Sequence, residues 1–147
     1  MTRFLTALLL TVFSLVPMAR AEQPIFHARE GAAIGGYDTV AYFTDGRAVP
    51  GAADIMVMWK GVVWHFSSDA HREAFEANPR AYAPQYGGYC AYAVSFGQLM
   101  GTDPTSWQIV DGKLYLAHSA PVLRIWSGDV PGYLVQSEAN WPAVLFD

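Results

Sequence analysis

Two hairpin signatures constrain this chain more than any other feature. Trp107 to Val110 and Lys113 to Leu116 are short strand-forming runs separated by Asp111-Gly112, a pair that favours the two-residue type I′ turn. The alternation puts Trp107, Ile109, Leu114 and Leu116 on one face. Upstream, Ile55 to Trp59 and Val62 to Phe66 flank Lys60-Gly61, and a tight hairpin follows there too. Short antiparallel ribbons cannot bury both faces alone, so helices must cover them.

The helix signals lie between and after the hairpins. Ser67, Ser68 and Asp69 are candidate N-caps for a helix running to about Ala77. Ala70, Ala74, Phe75 and Ala77 form its apolar stripe, and Arg72 and Glu76 can pair at i,i+4. Asn78-Pro79 ends that helix and can start a short second one. Tyr89 to Ser95 reads as a short buried helix after Gly87-Gly88. Phe96 to Ser106 reads as a loop. Pro121 and Pro131 each fit the first turn of a further helix. Thr39 to Phe43, rich in β-branched and aromatic residues, is expected to be a strand. The fold class is therefore α+β: small antiparallel hairpins packed with short helices in one compact domain.

The N-terminus carries the three parts of a secretory signal. Arg3 is a positive n-region, Phe4 to Val16 is an uncharged apolar run, and Ala19-Arg20-Ala21 is a small-residue cleavage site. The run is shorter than the roughly 20 apolar residues of a spanning helix. Residues 1–21 are expected to be a cleaved signal peptide. Residues 22–32 form an N-terminal lead, expected to be loose from Glu22 to Gly31, with 33–142 the domain and 143–147 a tail. Export by this route places the protein in the periplasm, with no stable membrane insertion after cleavage. Removing Arg3 and Arg20 from 9 basic side chains leaves 7 against 13 acidic, a mature balance of −6. An acidic chain without basic clusters is a poor nucleic-acid ligand. The partners expected are a metal ion or another exported protein.

The single cysteine, Cys90, cannot form an internal disulfide. In an oxidising compartment a lone thiol is either buried and inert, or serves metal, redox or intermolecular chemistry. His71 lies at the edge of the apolar stripe of its helix. A hairpin turning at Lys60-Gly61 sets Met58 against Val63 and Met56 against His65, so Met56, Met58 and His65 share one face. Thioether and imidazole donors suit Cu(I). The competing reading is a strand buried on both faces with methionine as adaptable filler. His27 and His118 are expected at the surface. No hydrolytic triad order, paired-carboxylate pattern or nucleotide-binding loop stands out, so a non-enzymatic domain is expected.

Several segments resemble the YHS domain family, in its exported bacterial branch. Trp64 to Tyr82, WHFSSDAHREAFEANPRAY, is similar to the family core of an aromatic strand end, Phe-Cys-Ser-x-x-Cys and a helix ending in Phe-x-x-x-Pro-x-x-Tyr. GGYDTVAYF, from Gly35, resembles the family's opening segment. YGGYCAYAVSFG, WQIVDGKLYL and ANWP follow in order. The resemblance covers roughly Ala33 to Pro142. It implies a role with soft metals of the copper or zinc class, because related domains carry cysteine ligands. Here those positions are Ala41, Ser67 and His71, so a histidine alone keeps a soft-metal donor. The resemblance also implies a reactive group at Cys90. The sequence therefore points to soft-metal binding or sensing through Cys90 and possibly His71. A thiol redox protein using Cys90 and a protein-binding module with a structural Cys90 are the alternatives.

Overall fold

The computed structural model describes residues 22–147. Residues 1–21, expected to be a signal peptide, lie outside the described residues. Among the described residues the architecture is α+β, with six α-helices and two small sheets.

The first sheet contains β1 (Ala28–Arg29), β2 (Ala32–Ala33), β3 (Ala52–Trp59) and β4 (Val62–Phe66), in the order β1-β2-β4-β3. β3 and β4 pair antiparallel around Lys60 and Gly61, whose φ values of 53° and 79° form a left-handed two-residue turn. β4 alternates strictly: Val62, Trp64 and Phe66 are buried, while Val63 and His65 are half-buried on the opposite face. β5 (Trp107–Val110) and β6 (Lys113–Leu116) make the second sheet. Trp107 pairs with Leu116 and Ile109 with Leu114, the expected shared face.

Ser68 caps α2 (Asp69–Ala77) by accepting a 3.1 Å hydrogen bond from the His71 amide. α3 (Pro79–Tyr82) follows at once. Phe75, fully buried on α2, packs against Trp59, Trp64 and Phe66 with ring centroids 5.0–5.6 Å apart. Leu114 and Leu116 of β6 join this first core, while Tyr115 faces a second one. That second core contains Tyr86, Val94 and Trp126 and is closed by α4 (Ala91–Ser95), α5 (Ala120–Ser127) and α6 (Val130–Asn140).

Two expectations change. Thr39–Phe43 is not a strand: α1 spans Ala41–Thr44. The cause is Asp38, whose carboxylate accepts from the amides of Val40 and Ala41 at 2.9 and 3.3 Å. A side chain that bonds its own backbone this way curls the chain and outweighs β propensity. The N-terminal lead is also not loose. Phe26 packs on Trp59 and Trp64 at 5.4 and 5.2 Å, and the His27 amide donates to Gly87 O at 2.8 Å. In the tail, Val144 and Leu145 are buried.

Candidate functional site

The hairpin register brings three of the expected metal donors together. Met56 pairs with His65, and Met58 with Val63. In an antiparallel ladder such partners lie on the same face, with Cβ atoms about 5 Å apart. Met56 and Met58 are 45% and 63% exposed, so they are not filler between two buried faces. The buried side of this hairpin is carried instead by Trp64 and Phe66. His65 rests over Gly36, where an added Cβ would sit 3.1 Å from His65 Nδ1. Gly36 has φ +83°, a conformation that glycine adopts without a Cβ penalty. Among the described residues, side-chain hydrogen bonds to imidazole rings are made by His71 and His118; His65 has none. Flexible thioethers at i and i+2 and an imidazole across the ladder can close on one ion, because methionine has three rotatable bonds.

His71 belongs to a different cluster. Its Nδ1 lies 2.7 Å from Asp38 Oδ2, and its Nε2 lies 3.2 Å from Thr44 Oγ1 and 3.8 Å from Asp45 Oδ1. The Ser67 hydroxyl and amide donate to the same Asp38 oxygen at 2.6 and 2.8 Å. Asp38 is fully buried. Burial pushes its carboxyl pKa up, but the hydrogen bonds from Ser67 and His71 outweigh this and hold it below the ordinary carboxylate value. The three positions where the resemblance expects cysteines, Ala41, Ser67 and His71, all hydrogen-bond Asp38. Asp38 itself was missed in the sequence. Its signal was a lone acid within the otherwise uncharged Gly35–Phe43 stretch.

Cys90 is not brought to His71. It is 0% exposed and packs with Ala93, Ala117, Tyr92, Val122 and Leu123. Its Sγ accepts a 3.3 Å hydrogen bond from the His118 amide. It precedes α4 but makes no side-chain cap bond. A joint Cys90–His71 site is therefore not formed. Among the described residues, no group of three or more His, Cys, Asp or Glu side chains is placed to hold a metal ion. His27 and His118 line a polar cleft of about 360 Å³ with Arg29, Tyr37 and Asp103. Burial, then the charge of Arg29, pushes the His27 pKa down. No described helix is long and apolar enough to cross a membrane.

No family profile, curated protein or solved structure matches this chain.

Proposed function

We propose that this chain is a periplasmic YHS-type domain that captures a soft metal ion, cuprous copper, through Met56, Met58 and His65. The observation that carries this reading is the β3–β4 register, which pairs Met56 with His65 while both methionine side chains stand exposed. Two thioethers and an imidazole form a soft donor set that favours Cu(I) over hard cations. An exposed site of neutral donors suits capture and hand-on of an ion rather than permanent structural retention.

The convergence of Ala41, Ser67 and His71 on Asp38 supports the YHS reading. In this chain the three positions carry no thiol and hydrogen-bond a carboxylate instead, so the metal role falls to the hairpin face. Cys90, sealed in apolar contacts, has a packing role.

The test is a titration with Cu(I) under anaerobic reducing conditions against a competing chelator, with Ag(I) as a redox-inert check. One ion per chain is expected. Met56→Leu, Met58→Leu and His65→Gln each weaken binding, whereas Cys90→Ala does not. No binding at micromolar metal would sink the proposal. Binding lost in Cys90→Ala but kept in Met58→Leu would return the site to the cysteine.

A further inference from the structure

Beside the first core, a cleft of about 360 Å³ opens between the N-terminal lead and the β3–β4 turn. Phe26, Trp59, Tyr86 and Trp141 line it, with Lys60 and Arg80. A second recess of about 300 Å³ continues from it and shares Trp59, Lys60 and Arg80. These volumes fall at the lower end of the range for small-molecule sites, the size of a compound of two or three rings.

The shape is built by the backbone. Lys60 is the first residue of the left-handed hairpin turn, which holds its chain beside the cleft. Its ammonium lies 6.0 Å from the Trp59 ring centroid. Tyr86 and Gly87 have φ values of 51° and 60°. The left-handed region is unfavourable for a residue with a Cβ, and such strain gathers at functional sites. At Gly87 any Cβ would run into the Ile25 carbonyl, so the lead can cross there and form one wall. The Tyr86 hydroxyl donates to Glu138 at 3.1 Å, which fixes its ring against Trp141 at 5.9 Å.

The charge is one-sided. Among the described residues, no carboxylate lines either recess. Among the described residues neither Lys60 nor Arg80 forms an ion pair. Two free cations over an aromatic floor, on a chain with more acidic than basic side chains, mark a site with a defined polarity. Rings stack on planar apolar bodies, and guanidinium and ammonium groups recognise carboxylates and sulfonates.

The geometry points to a binding site for a small planar aromatic anion: its rings lie on Trp59, Tyr86 and Trp141, and its acid group sits between Lys60 and Arg80. The site is separate from the copper face, since Met56 and Met58 do not line the cleft.

The experiment is a fluorescence titration of the full chain with 1-anilinonaphthalene-8-sulfonate, alongside its uncharged analogue N-phenyl-1-naphthylamine. Saturable binding of one sulfonate is expected, with a raised thermal midpoint, because a ligand of the native state stabilises it. Lys60→Asn and Arg80→Gln each weaken the sulfonate about tenfold, the low end for a charge-assisted hydrogen bond, and leave the neutral probe unchanged. Asparagine tolerates the left-handed turn. Added salt weakens the sulfonate selectively in the unsubstituted protein. No saturable binding, equal sulfonate affinity in a chain carrying both Lys60→Asn and Arg80→Gln, or a lowered thermal midpoint overturns the proposal.

Discussion

Replacing Asp38 with alanine tests the polar hub directly. The carboxylate accepts from the Val40, Ala41 and Ser67 amides, the Ser67 hydroxyl and His71 Nδ1. After Asp38→Ala the Ser67 hydroxyl can turn to His71, already 3.4 Å away, and part of the loss is recovered. The amides of Val40 and Ala41 have no such relief, because both residues are 0% exposed. Each orphaned buried amide costs about 1–1.5 kcal/mol, and the lost charged contacts add about as much as one of them, so the sum is about 4 kcal/mol. For a domain of this size that is a fall of roughly 12 °C in Tm, read by circular dichroism and urea unfolding. The pH dependence adds a second check. The folded pKa of Asp38 lies below its ordinary value of 3.8. Its contribution is complete above that value and is lost as pH falls through the folded pKa. The stability gap between the parent and Asp38→Asn therefore narrows on going from about pH 5 to about pH 3. A cost under about 1 kcal/mol, with a gap that stays flat on acidification, would refute the assignment of Asp38 as the hub.

Three further outcomes follow from the geometry. Cys90 in the folded protein reacts with Ellman's reagent far more slowly than in urea, because the thiol is fully buried; equal rates would restore a reactive cysteine. Gly87→Ala destabilises the fold by about 3 kcal/mol, combining a left-handed backbone with a clash at the Ile25 carbonyl; a thermal melt within a degree or so of the parent would contradict the close crossing of the lead. His27 titrates below 6.5 because of burial first and Arg29 second, so the unfolded chain takes up its proton first as pH falls. Its contribution is full above pH 6.5 and declines below it, and His27→Gln removes that slope between about pH 7.5 and pH 5.5; proton NMR of the imidazole reads the midpoint directly.

The sequence by itself determined the elements whose signals are local. Asp111-Gly112 and Lys60-Gly61 set both hairpin registers, because a two-residue turn dictates which residues face each other. That made the shared face of Met56, Met58 and His65 legible before any fold was known. Ser68 and the apolar spacing around Phe75 likewise defined α2. What only the tertiary structure decided was which faces meet water and which distant groups meet each other. Strand alternation marks two faces but not which is covered, so the exposure of Met56 and Met58 had to come from the packing of Phe75 on the other side. Thr39 and Val40 read as a strand, and the Asp38 carboxylate overrode them through bonds to its own backbone. The same carboxylate gathered Ser67 and His71 from 29 and 33 residues away, a contact that no local pattern encodes. Cys90 and His71 looked like partners because a resemblance placed chemistry at both, but the fold buried one in an apolar pocket and tied the other to Asp38.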